Sequence, residues 1–159
     1  MQSPEPLRLT SASADETRQL GERLGRAMLA GDVVALVGPL GSGKTTFAQG
    51  IARGLQVPPD RHVASPTFAL VNEHPGRVPF VHGDLYRIER AAELAELGLG
   101  DVYDRAACAL EWADRFSDAL PAGALRITFS VDADGRRQLV CQGDGGRAGT
   151  LLETLARAD

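Results

Sequence analysis

The chain has 159 residues, 43% hydrophobic and 24% charged, with a net charge of −4 and a pI near 5.4. That size suits one domain spanning 1–159, able to bury roughly two-thirds of its unfolded surface, while no apolar run approaches the ~20 residues that cross a bilayer. An acidic chain without a basic run lacks the clustered positive charge that grips phosphates, so strong direct binding to nucleic acid is not expected.

In chain order, LRLT at 7–10 predicts a short strand. Ser13 then serves as an N-cap with Glu16 three residues on, a capping box, and Leu20, Leu24, Ala27 and Met28 recur at helical spacing to about Ala30. VVALV at 33–37 is a continuous apolar run of the kind found in strands buried on both faces. A glycine loop follows, then a helix from Lys44 carrying Phe47, Ala48, Ile51 and Leu55 on one face and stopped by VPP at 57–59. VASPTFALV at 63–71 predicts a turn at Ser65-Pro66 and a strand after it; VPFVHGD at 78–84 and ACALEW at 107–112 are buried-strand candidates, with a polar helix from Arg90 to Leu97 between them. Residues 125–131 alternate apolar and polar, DADG turns, and RRQLVCQ returns as a hairpin, with a closing helix over 149–158. The pattern is α/β: a sheet with helices on both faces and a C-terminal antiparallel hairpin. MQSPEPLRLT shows no basic segment followed by an apolar stretch, and Cys108 and Cys141 have no metal-like spacing. The expected setting is the cytoplasm, with both cysteines as small buried apolar side chains.

The stretch GPLGSGKTT, 38–46, carries the chemistry. Gly38, Gly43, Lys44 and Thr45 satisfy G-x-x-x-x-G-K-[ST] between a buried strand and an amphipathic helix, the setting of a P-loop NTPase-like sheet. Glycines let successive N–H groups converge on phosphate oxygens, and the helix N-terminus adds partial positive charge. Candidate nucleotide contacts are therefore Gly38, Leu40, Gly41, Ser42, Gly43, Lys44, Thr45 and Thr46. Of the 17 basic residues Lys44 is the single lysine; a compact ammonium fits inside such a loop where a planar guanidinium does not. The Thr45 hydroxyl suits Mg²⁺. Guanine selection through an Asn/Thr-Lys-x-Asp segment needs a second lysine, so ATP is expected by elimination.

A second metal anchor usually stands at the end of a neighbouring strand. Asp84 and Glu111 compete for it, since both end buried-strand candidates at the edge where open α/β sheets bind ligands. One would touch the metal shell and the other orient or deprotonate water; spacing does not rank them. His82 shares the strand face of Asp84, Trp112 either packs over the site or fills the core, and Arg87 either reaches a phosphate or is surface charge.

Together, GPLGSGKTTFAQG at 38–50, SPTF at 65–68, HGDLYR at 82–87 and LEW at 110–112 resemble the TsaE (YjeE) family of bacterial P-loop ATPases. The resemblance covers about residues 9–140. It departs from the family only after EW, where ADRF stands in place of a frequent proline and polar residue. The resemblance implies ATP hydrolysis in making threonylcarbamoyladenosine beside the tRNA anticodon, acting on a TsaB–TsaD transferase complex that makes the RNA contact. It also implies that Thr45 and Glu111 contact Mg²⁺, and that Asp84 acts on the hydrolytic water or metal shell. Lys44, Asp84 and Glu111 are then the catalytic candidates. By the same resemblance Thr67 belongs to a switch-like loop, Trp112 lies at the nucleotide, and the segment from Ser11 to Thr17 borders adenine. Two rivals stand beside this: a small-molecule kinase with Arg87, Arg90 or Arg105 on a lid, and a nucleotide-gated module whose hydrolysis is incidental.

Overall fold

The computed structural model describes residues 5–61, 63, 71–86, 88–113 and 120–157. Its elements run β1 (Leu7–Ser11), α1 (Ala14–Ala27), β2 (Val33–Val37), α2 (Lys44–Gly54), β3 (Val71–His74), β4 (Phe80–Asp84), α3 (Ala91–Glu96), α4 (Leu99–Tyr103), β5 (Ala107–Glu111), β6 (Leu125–Val131), β7 (Arg137–Gln142) and α5 (Gly146–Ala156).

VVALV becomes β2, in the middle of a sheet ordered β1-β7-β6-β2-β5-β4-β3. Its continuous apolar character has a direct cause, since both faces are covered. Val34 and Leu36 pack with α1, α2 and α5 through Leu24, Phe47, Ile51 and Leu151. Val33 and Ala35 face the other way, toward Leu94 of α3 and Leu99 of α4. β4, β5, β2 and β6 pair in parallel, while β7 and β1 add antiparallel at one edge and β3 at the other. The expected α/β sheet, helices on both faces and terminal hairpin are all present. Cys108 and Cys141 lie on opposite faces, and burial pushes each thiol up to about 12, so both are inert apolar filling.

α1 and α2 cross with almost nothing between them. A Cβ added at Gly21 would sit 2.2 Å from the Phe47 carbonyl oxygen, and one at Gly50 only 2.1 Å from that of Arg18. Gly25 and Gly54 repeat the contact one turn on, so glycines at i and i+4 on each helix form a backbone-to-backbone seam.

The structure also departs from expectation. α1 ends at Ala27 rather than about Ala30, because Arg77 donates to the carbonyls of Gly25, Arg26 and Met28 from a distant turn. At its start, Ser13 Oγ accepts from the Glu16 N–H, but the Glu16 carboxylate accepts from Ala12 N–H instead of closing the box on Ser13. β3 and α4 were not legible: β3 is a short half-polar edge strand, and α4 hangs on one buried leucine, Leu99. α5 begins three residues earlier than the apolar pattern indicates, at Gly146. The turn expected at Ser65-Pro66 and the strand after it fall largely outside the described residues.

Candidate nucleotide site

β2 delivers the chain into the glycine loop. Gly38 (φ +149°) has no room for a side chain, since a Cβ there would lie 2.6 Å from the Phe129 carbonyl oxygen. Gly43 (φ +110°) is the N-cap of α2 and supplies no side-chain cap, so the first amides of the helix point outward uncapped by any side chain. Lys44 folds back over this loop. Its Nζ donates to the carbonyls of Gly38 and Pro39, the latter at 3.0 Å, and stands 3.9 Å from the centre of the Trp112 ring. The ammonium is thereby held at the loop with only 4% of the residue exposed.

The two competing acids prove to be register partners. β4 and β5 run parallel with Asp84 opposite Glu111, so both carboxylates leave the sheet side by side at its carboxyl edge. Glu111 is buried and meets α2: its Oε1 and Oε2 accept from Thr45 Oγ1 at 3.0 and 3.2 Å. Asp84 is half-buried, and its Oδ1 accepts from the Tyr86 N–H at 3.0 Å. Burial, with a smaller contribution from the charge of Glu111, raises its pKa above the ordinary carboxylate value, against the pull of the Tyr86 N–H. Directly after Glu111, Trp112 takes φ +61°, rare for a bulky residue. That turn ends β5 and swings the indole over Lys44, with the Tyr86 ring 5.0 Å away and tilted by 51°.

These groups share one cavity of about 590 Å³. Leu40, Gly41, Gly43, Lys44, Thr45 and Thr46 line it from the glycine loop and the start of α2, and Asp84, Glu111 and Trp112 from the ends of β4 and β5. Ala12, Ser13, Ala14 and Thr17 line it from the start of α1, joined by Gly135 and Arg137 from the β6–β7 turn.

Residues 11–139 match the family described as threonylcarbamoyl adenosine biosynthesis protein TsaE. The chain belongs to the TsaE family. It is 35% identical over 155 residues to the tRNA threonylcarbamoyladenosine biosynthesis protein TsaE of Bacillus subtilis, covering 96% of each chain. It is 36% identical over 134 residues to the protein of that name from Treponema pallidum, covering 84% of this chain and 98% of that one. Its structure superposes on the crystal structure of Bacillus subtilis YdiB with a TM-score of 0.84 at 30% identity, covering 99% and 98% of the two chains. The seven-stranded α/β sheet described above is thus a TsaE-family sheet.

Within this TsaE-family chain the sequence candidates do not all stand in one place. Ser11 is fully buried, its hydroxyl 2.7 Å from that of Thr17, so it backs Thr17 without lining the cavity itself. Ser42 is buried under the loop and Gly38 presents its carbonyl to Lys44. Thr67 and Arg87 lie outside the described residues. Arg137 and Gly135 were not foreseen as lining residues. They come from a hairpin turn about ninety residues along the chain from the loop, and only the antiparallel return of β7 brings them in. Among the described residues no helix is long and apolar enough to cross a membrane.

Proposed function

We propose that this chain is an ATPase that binds ATP with Mg²⁺ and hydrolyses it slowly, serving tRNA threonylcarbamoyladenosine biosynthesis through a TsaB–TsaD-like transferase pair in the cytoplasm. The observation that supports it best is that Lys44, Thr45, Asp84 and Glu111 line a single cavity, with Thr45 bonded to Glu111. The donor set fits magnesium. All the candidate ligands are hard oxygens, and Thr45 Oγ1 and Glu111 Oε1 already stand together, 3.0 Å apart, where both would help to hold the ion. Among the described residues no cluster of three or more His, Cys, Asp or Glu holds a metal unaided, so the ion would complete its shell from phosphate oxygens and water. Bound there, it would neutralise charge on the β- and γ-phosphates.

The chain's own groups do the rest. The loop amides and α2 N-terminus bind the phosphates, and Lys44 stabilises charge as the terminal bond breaks. Asp84, held at Oδ1 by Tyr86, takes the proton of the attacking water as its oxygen bonds to the γ-phosphorus and ADP leaves; its raised proton affinity suits that task. Thr17 and Ser13, with Arg137, would border the base.

A kinase needs an acceptor pocket and an arginine lid. Arg105 precedes β5 at the sheet's amino edge, away from the cavity, and is paired there with Glu73. Arg90 sits exposed at the start of α3. The deciding assay measures phosphate release from ATP by the chain alone and with a purified transferase pair, and tRNA modification with Glu111→Ala. The expected result is slow release, stimulation by the pair, and a variant that binds nucleotide but fails to support modification. Fast transfer to a metabolite without release in water would establish the kinase instead, and full modification by the variant would leave only a nucleotide-gated module.

A further inference from the structure

His82 lies at the centre of β4 with none of its surface exposed, and nothing in the chemistry above uses it. Its register partner on β5 is Ala109, two residues before Glu111, so the imidazole reaches diagonally along the sheet. There Nε2 stands 2.5 Å from Glu111 Oε2. A carboxylate oxygen accepts, so Nε2 carries the hydrogen and donates it; Nδ1 has no hydrogen-bond partner among the described residues. The ring plane is held by Phe80, stacked at 6.2 Å and 8°.

Among the described residues the Glu111 carboxylate also meets Thr45 of α2. Thr45 Oγ1 is nearly equidistant from the two carboxylate oxygens, at 3.0 and 3.2 Å, so it does not choose between them. A glutamate at a strand end has three side-chain torsions with which to rotate. His82 donates to Oε2 alone, and so limits a rotation of the carboxylate that the contact with Thr45 leaves open.

We propose that His82 is a positioning residue that orients the Glu111 carboxylate toward the metal edge of the phosphate loop, so that nucleotide affinity becomes coupled to magnesium through it. This rests on the ATP–Mg²⁺ reading above. A ligating carboxylate is itself normally held by a hydrogen bond, and loss of such a support weakens metal binding about 10–100-fold.

The test compares two amides of similar polarity and different reach. The side chain of His82→Gln extends far enough for its N–H to meet Glu111, whereas that of His82→Asn stops short. Calorimetry with a non-hydrolysable ATP analogue, in magnesium and in chelator, reads the metal linkage as the ratio of the two affinities. The wild-type ratio is expected to fall by about tenfold or more in His82→Asn, with the affinity in chelator unchanged, and to survive in His82→Gln. In a Glu111→Ala background His82→Asn should change the ratio no further. An unchanged ratio in His82→Asn, equal loss in both amides, or a further loss without Glu111 each overturns the inference while a metal-linked wild type leaves the ATP–Mg²⁺ reading standing. A wild-type protein with no metal linkage at all overturns both.

Discussion

Lys44 is packed so closely that its chemical identity matters more than its charge. Its Nζ is wedged between two loop carbonyls and the Trp112 ring, a space sized for an ammonium and too narrow for a guanidinium. Lys44→Arg should therefore weaken binding of an ATP analogue by about 100-fold, or ~2.7 kcal/mol, although the charge is kept; calorimetry giving an affinity within threefold of wild type would refute this. Asp84 makes a different prediction. Its folded pKa is raised above the unfolded value of 3.8, mainly by burial. The folded chain thus holds the proton more tightly than the unfolded chain, and that contribution is present below pH 3.8 and lost as pH rises through the folded pKa. At pH 7 the ionised group costs stability, discounted because it is only half-buried. Asp84→Asn keeps an oxygen for the Tyr86 N–H, so it should raise the melting temperature of nucleotide-free protein by ~2 °C at neutral pH. The gain should vanish near pH 4, while ATP hydrolysis falls. Thermal scans across pH that show Asn no more stable than Asp at pH 7 would contradict it.

At the scale of elements, the seam between α1 and α2 sets how the two helices meet at the site. α1 brings its N-cap Ser13 and its Thr17 to the cavity, and α2 brings Lys44, Thr45 and Thr46 directly after the glycine loop. Their spacing is set by glycines on both helices. Ala at position 50 would gain ~1 kcal/mol of helix propensity, but its methyl would stand 2.1 Å from a backbone oxygen that has no side-chain torsion with which to yield. Overlap wins. Gly50→Ala should cost about 2–3 kcal/mol and lower the melting temperature by about 5–10 °C, with nucleotide affinity falling as the helices part. Gly100, in α4, has nothing within 4 Å of a new Cβ and no positive φ, so Gly100→Ala should be neutral or stabilising by ~0.5 kcal/mol. Paired thermal melts check both, and equal melting temperatures for the two variants would dispose of the seam.

For the molecule as a whole, α5 is tied to the sheet by a polar clasp as well as by Leu151 and Leu155. Arg147 donates to both oxygens of buried Asp32, at 2.6 and 3.0 Å, and to the Ala27 carbonyl, which joins α5 to the end of α1 and the start of β2. Arg147→Ala would leave the Asp32 carboxylate with the Leu29 N–H as its remaining hydrogen bond among the described residues. Breaking a fully buried pair costs about 3–5 kcal/mol; because Arg147 is itself 41% exposed, about 1–3 kcal/mol is expected here. Urea unfolding should show the loss, with the proposed ATP binding retained in the folded fraction; a midpoint equal to wild type would show that the clasp contributes nothing.

The amino-acid sequence by itself determined what depends on local pattern. VVALV demanded a strand covered on both faces, the glycines before Lys44 demanded a tight loop leading into a helix, and period-two alternation over 125–131 demanded one half of a hairpin. It also picked out Asp84 and Glu111 as rival candidates for a metal anchor without ranking them. Tertiary structure decided what depends on register and distance: Asp84 and Glu111 became neighbours only when β4 paired with β5, Glu111 gained Thr45 and His82 while Asp84 stayed half-exposed, and Arg137 entered the cavity from a distant turn. Periodicity and motif spacing record which face a residue presents to its own element. Which groups meet across elements is set by strand pairing and helix spacing, and those become visible only once the chain has folded.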